Sequence, residues 1–280
     1  MARFVIVPQW QGSPSSRAMA HIDGTEAIAG DLPRSACTRV DVPLEAGESL
    51  DTRVLRASSL LRTAEGIRSA LAEADGPAIA VGGDCGVSVA AIGHVADLAP
   101  DPLAVIWFDA HGDLHAPDTS PSGAFAGMAL RAVLGEGAPG LALAPGTVPE
   151  SQVVLAGVRM LDPEEDELLA RSDMTSLTPG DMERPRALAD AVAATGARRV
   201  YVHVDLDVLD PAHVTGVSSP EPFGVTPAAL VAAIAAVRSL QVDGAPIELA
   251  GATIAGFAPA SPAAAVDDMG TILRIIGALA

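Results

Sequence analysis

Ten residues, Trp107 to Ala116, read WFDAHGDLHA. An apolar run stops at an acid, and a histidine, a second acid and a second histidine follow, with glycine and small residues between them. Two other apolar runs end in a similar way. PAIAVGG (77–83) leads into Asp84 and Cys85, and RVYVHVDLDV (199–208) carries Asp205 and Asp207, with Asp210 just beyond. Carboxylates gathered in one crevice as anions repel, and desolvation raises their pKa values. Divalent cations among them remove that conflict. Mixed carboxylate and imidazole donors suit an ion of intermediate hardness such as Mn²⁺. Two such ions about 3.5–4 Å apart generate hydroxide from water at neutral pH.

Side chains alternate along a strand, so Asp205 and Asp207 are expected to point one way, as are Asp109 and His111. Each motif alone also reads as a turn, because aspartate beside glycine is a common turn former. The agreement of three strand tips is what argues for chemistry. His203, ahead of the acids on its strand, reads as a packed, hydrogen-bonded histidine rather than a ligand. His21 and His94 read as core or surface residues.

These tips need strands that end together. Apolar runs at 3–8, 77–83, 103–110, 152–159, 199–208 and 247–259 read as strands. Helical spacing covers 51–74, opened by Asp51 as a cap, and about 86–97 and 185–195. DPEEDELLA gives an acidic helix start at Asp162, Thr226-Pro227 opens another helix, and 261–278 closes the chain. Strands and helices in alternation predict a parallel sheet covered on both faces. In such sheets ligand sites form beyond the carboxyl ends of the strands. The 280 residues are expected to form one domain.

Composition narrows the partners. The formal charge is -18, and all 17 basic residues are arginine. So acidic a chain disfavours nucleic acid and anionic membranes and suits a cationic substrate or metal ions. Two cysteines, Cys37 and Cys85, make no disulfide framework and fit a reducing cytoplasm. The N-terminal apolar run is too short for a signal peptide, and no apolar stretch is long enough for a membrane span.

GGDCG, WFDAHGD and VHVDLDVLDP, in this order, resemble the arginase, agmatinase and formiminoglutamase superfamily, the ureohydrolases. The resemblance covers about 77–260 and implies a three-layer α/β/α fold around a parallel sheet. It also implies two Mn²⁺ ions bridged by a hydroxide that attacks the carbon of a guanidinium or similar C–N centre. Carried over, Asp109 and Asp205 would bridge the ions, and His111 and Asp207 would complete one site. Asp113 would bind the other ion and hold the hydroxide. Asp84 would orient the ligand beside it, and His115, Ser122 and Asp162 would meet substrate. A trimer or hexamer is the assembly implied.

The departures concern the pocket. Cys85 stands where the family's GGDHS motif has a histidine ligand, so either a thiolate favours Zn²⁺ or Fe²⁺ there or that site is weak. Ala126 stands at the expected shuttle histidine, Ala124 at a neighbouring asparagine, and Ala229 at the glutamate that grips a guanidinium. A charge-assisted hydrogen bond contributes roughly 1.5–3 kcal/mol, so arginine is not the expected substrate. The reading is a metal-dependent hydrolase acting on another linear guanidino or amidino compound. The alternative is a catalytically impaired relative with a structural or regulatory binding role. The metal-dependent deacetylases, which share a related architecture, rank last because the sequence has no His-His pair.

Overall fold

A computed structural model describes residues 2–184 and 186–280. Eight strands form one parallel sheet, and a short antiparallel hairpin stands apart. In chain order the elements are β1 (Arg3–Ile6), α1 (Ala20–Gly30), β2 (Cys37–Arg39), α2 (Ala57–Ala72), β3 (Ala78–Val81), α3 (Val87–Asp97) and β4 (Leu103–Phe108). Then come α4 (Ala129–Val133), β5 (Val153–Ala156), α5 (Pro163–Arg171), β6 (Thr175–Leu177), α6 (Pro179–Met182), α7 (Ala187–Ala194) and β7 (Arg199–Asp205). Last are α8 (Pro227–Arg238), the hairpin β8 (Gln241–Val242) and β9 (Ala245–Pro246), β10 (Glu248–Ala255) and α9 (Pro262–Leu279). The sheet order is β2-β1-β3-β10-β7-β4-β5-β6, every neighbouring pair being parallel.

The strands are apolar on both faces because both faces are covered. Ala104, Ile106 and Phe108 of β4 join Val200, Val202 and Val204 of β7 in one core, beneath α1, α7, α8 and α9. Leu103, Val105 and Trp107 face the other way with Tyr201, beneath α2, α3 and α4. This is the three-layer α/β/α architecture. The apolar end of α9 is covered by the chain itself: Ile272, Ile275, Ile276 and Leu279 are buried against the first core.

One expectation needs correction here. Asp51 does not cap α2; the helix begins at Ala57, and Leu50, Asp51, Arg53 and Arg56 all have positive φ. The Arg56 guanidinium donates to the carbonyls of Gln11 and Ser13 and lies over Trp10, which ties this turn to the N-terminal loop. Of the three loaded strands, β7 and β4 are neighbours, and β10 runs between β3 and β7. The start assigned to the 185–195 helix falls on Pro185, outside the described residues; the helix is described from Ala187.

Candidate metal centre

β4 ends at Phe108, and Asp109 continues its line toward the carboxyl edge. Asp109 Oδ1 accepts from the backbone N–H of His111 at 2.7 Å, which bends the chain at once. Asp113 follows at φ 52, in the left-handed region that aspartate tolerates better than most residues. Glu165 of α5 fixes this turn from outside. Its Oε1 accepts from Leu114 N at 2.9 Å, and its Oε2 from Asp162 N at 3.0 Å.

The β7 exit meets this turn. The strand stops at Asp205, so Asp207 does not share a strand face with it, as the period-two reading expected. Instead residues 206–208 form a 3₁₀ turn in which Asp205 Oδ1 accepts from Asp207 N at 2.9 Å. Asp207 then reaches sideways: Oδ1 accepts from Ala110 N at 3.1 Å, and Oδ2 stands 3.1 Å from His111 Nδ1. The Arg159 guanidinium donates to the carbonyls of Asp207 and Glu221 and holds the turn in place. Beside Asp205, the exit of β10 carries Gly256 at φ 83, where a Cβ would lie 2.1 Å from Asp205 Oδ1. Gly256→Ala is expected to cost about 1–3 kcal/mol through backbone strain and displacement of Asp205. Chemical denaturation and metal analysis of the variant check both effects.

At the β3 exit Asp84 spends its carboxylate on the scaffold. It accepts from Gln9 Nε2 at 2.9 Å, Gly12 N at 2.9 Å and Gly86 N at 3.1 Å, pinning the N-terminal loop. Its neighbour Cys85 points inward, with Sγ 2.9 Å from Asp205 Oδ2 and 3.8 Å from Asp109 Oδ2.

The charges conflict as metal ligands without a metal do. Burial, reinforced by the Asp109 charge, pushes Asp113 well above the carboxylate range. Burial with the Asp207 and Asp109 charges does the same to Asp205, and Asp207 is pushed up to about 6 by burial and Asp109. Burial and the surrounding carboxylates also push the Cys85 thiol up. At Asp109 burial acts upward, but the hydrogen bond from His111 and the nearby His111 and His203 rings overcome it and hold the group low. Burial would lower His111; hydrogen bonds from Asp109 and Asp207 overcome this and push it up to about 12. One imidazolium is thus doing the work of a larger positive charge. Asp113 Oδ2 is buried with no hydrogen-bond partner among the described residues. A buried carboxylate oxygen without a donor is costly unless a cation faces it. The ligand atoms of Asp109, His111 and Asp207 lie within 4.8 Å of one another, and so do those of Cys85, Asp109 and His203. The donors therefore fit divalent metal.

The candidate ligand and substrate residues Cys85, Asp109, His111, Asp113, His115, Ser122, Asp162, Asp205 and Asp207 line one cleft of about 220 Å³, with Asp84 beside them; Asp210 and Ala124 are not in its wall. His115 is held between Thr119 Oγ1 at 3.3 Å and Asp162 Oδ2 at 2.9 Å. Ser122 is exposed at the rim, its Oγ accepting from Ala124 N at 3.2 Å. Ala126 lines the cleft too, whereas Ala229 sits in the first turn of α8, where its N–H donates to the Thr226 cap. Three functional candidates escaped the sequence reading. Glu165 positions the 112–115 turn. His21 lines the cleft with neither ring nitrogen partnered, and burial pulls it down to about 4. His203 lies behind Asp109 with its Nε2 unpartnered.

The model of the arginase family matches residues 17–249. The chain belongs to the arginase family. Among curated relatives, the arginases of Bacillus caldovelox and Bacillus subtilis are each 36% identical to this arginase-family chain, over 156 and 157 residues. Those alignments take in 53% of this chain and 52% of each relative, so the chain spans about half the length of the curated relatives it matches. The fold likeness is wider. An Entamoeba histolytica arginase, solved in complex with L-ornithine, superposes with TM-score 0.85 at 20% identity, covering 99% of this chain and 97% of that one. Proclavaminate amidino hydrolase from Streptomyces clavuligerus gives 0.73 at 22%, covering 99% and 90%. Formimidoylglutamase from Bacillus subtilis gives 0.72 at 18%, covering 99% and 86%.

Proposed function

We propose that this arginase-family chain is a metal-dependent hydrolase of one domain, residues 1–280, that cleaves a C–N bond of a linear guanidino or amidino compound other than L-arginine. The observation that carries the reading is the Oδ2 of Asp113, without a partner among the described residues and buried beside Asp109 and Asp205. Asp109, His111, Asp113, Asp205, Asp207 and Cys85 would hold the metal, two ions per chain, with Mn²⁺ the resident ion of the harder donors. A bound pair of divalent ions supplies a water-derived nucleophile at neutral pH and polarises the substrate.

The chain's own groups do the rest. Asp113 presents an acceptor oxygen that orients the attacking water and takes its proton. His115, fixed by Asp162 and Thr119, keeps its ring at the cleft wall, where it hydrogen-bonds substrate. Asp162 offers a half-exposed carboxylate to a cationic end of the substrate, and Ser122 a hydroxyl at the rim. The alanine at 126 leaves the cleft without a second titratable group on that loop, which separates this pocket from one built for arginine. The reading extends to a trimer or hexamer working in the cytoplasm. Two free cysteines agree with a reducing compartment, and no helix among the described residues is long and apolar enough to cross a membrane.

Ala124, Ala126 and Ala229 also favour a second reading, a relative that keeps the fold and a metal but has lost catalysis. Loading with Mn²⁺, assaying a panel of guanidino and amidino compounds for urea or ammonia, and counting metal per chain separates the two. Turnover of a panel member with two ions bound is the expected result. Metal bound with no turnover across the panel leaves the second reading standing alone.

A further inference from the structure

His203 is fully buried in β7, its ring stacked on Trp107 of β4 with centroids 3.7 Å apart and planes at 25°. Its Nδ1 lies 2.7 Å from Ser88 Oγ on α3. A neutral imidazole has one donor and one acceptor nitrogen, and both need partners in a dry interior. Nε2 has none. The nearby carboxylate oxygen, Asp109 Oδ2, is 3.9 Å away, too far for a hydrogen bond. Cys85 Sγ stands 3.8 Å from that same oxygen. Two donors on one tetrahedral ion, with bonds of about 2.0–2.3 Å, stand about 3.3–3.7 Å apart. The observed gaps are those of ligands waiting to close slightly on an ion.

We propose that His203 Nε2 is a metal ligand, and that Cys85, Asp109 and His203 form a thiolate–carboxylate–imidazole site that takes Zn²⁺ in preference to Mn²⁺. The inference rests on the metal-dependent reading above and deepens it. An imidazole absent at position 85, just past β3, is supplied by β7 of the same sheet, at position 203. Ser88 accepting from Nδ1–H leaves the Nε2 lone pair free for metal, and Trp107 fixes the ring plane. Asp109 divides its oxygens, Oδ1 toward His111 and Oδ2 toward Cys85 and His203. The centre therefore has one soft and one hard half, because His111 and Asp207 add only nitrogen and oxygen donors to the other side.

Metal-free full-length protein is titrated with Co²⁺ and, separately, with Zn²⁺ against Mn²⁺. In the wild type one Co²⁺ shows a thiolate charge-transfer band in the near ultraviolet, and Zn²⁺ displaces Mn²⁺ from one position only. His203→Gln raises the Kd of that ion at least about 100-fold and leaves the second ion bound. Cys85→Ser removes the band, Cys85→Ala lowers occupancy of the same position, and Cys85→His turns its preference to Mn²⁺. A zinc-soaked crystal of the wild type, phased for anomalous scattering, places a peak within bonding distance of Nε2 and needs no variant to fold. An anomalous peak away from Nε2, or unchanged affinity and spectrum in a folded His203→Gln protein, overturns the inference while the hydrolase reading survives. No ion taken up by the wild type overturns both.

Discussion

Asp113→Asn yields a protein more stable than the wild type without metal and inactive with it. The backbone accepts the change, since Asp113 sits at φ 52 and asparagine shares the tolerance of aspartate for that region. The size is the same. What changes is a carboxyl group that burial and the Asp109 charge push well above its ordinary range. Holding it protonated at neutral pH, or ionised among other acids, costs the folded state free energy that an amide does not. The metal-free variant should gain about 1–3 kcal/mol. For a chain of this size that is roughly 2–4 °C in Tm per kcal/mol. The same change removes an anionic oxygen from the metal cradle and the acceptor for the water proton. A fall in turnover of about 10²–10³-fold or more is expected, with weaker divalent binding. Thermal denaturation in chelator, metal analysis and initial rates measure the three effects. A loss of stability in chelator would show that Asp113 is a structural hydrogen-bonding residue and not a strained ligand.

The pattern of conflict at Asp113 also explains how much of this protein could be read from its residues. Strand exits were legible because a two-faced parallel sheet needs continuous apolar runs, and LAVIWF and RVYVHV are such runs. The ends of those runs fix where acids must gather. The edge strands were not legible: CTR of β2 and TSL of β6 are three-residue segments, largely exposed, with no apolar run to mark them. Helix α1, AHIDGTEAIAG, mixes small and polar residues too evenly to show a stripe. The start of α2 was hidden because left-handed turns at Asp51 and Arg56 depend on contacts with a distant loop. At the site, residue types were legible and orientations less so. The period-two rule fails between Asp205 and Asp207, because the strand ends at Asp205. Applied one step earlier it pairs His203 with Asp205 on one face, and that was the signal for His203.

Metal-free protein loses stability as pH rises from about 5 to 8, and divalent metal reverses the trend. Burial pushes Asp84 and Asp207 up to about 6 each, and pushes Asp113 and Asp205 well up. In the unfolded chain these carboxyls titrate near about 3.9. Above that value the folded state holds protons the unfolded chain has released, so stability falls with pH by up to about 1.4 kcal/mol per unit for each group. For Asp84 and Asp207 the fall is complete near pH 6, and Asp113 and Asp205 carry it further. His111, pushed up to about 12 by Asp109 and Asp207 against its burial, adds in the same direction. Its contribution is whole below about 6.5 and is lost as pH rises toward the folded value. Asp109 alone runs the other way; its contribution is present above about 4 and is lost only in stronger acid. A bound divalent ion displaces the protons on Asp113, Asp205, Asp207 and His111, so its affinity grows with pH. At free metal about 100 times Kd it adds about 2.7 kcal/mol. Asp84, fully engaged with Gln9, Gly12 and Gly86, keeps its own share whether or not metal is present, and Asp84→Asn removes that share alone. Thermal melts from pH 5 to 8 in chelator and in Mn²⁺, at matched ionic strength, trace the two curves. They should diverge as pH rises, because the same carboxylates that weaken the metal-free fold are the ones a cation rewards; parallel curves would mean the ion binds somewhere else.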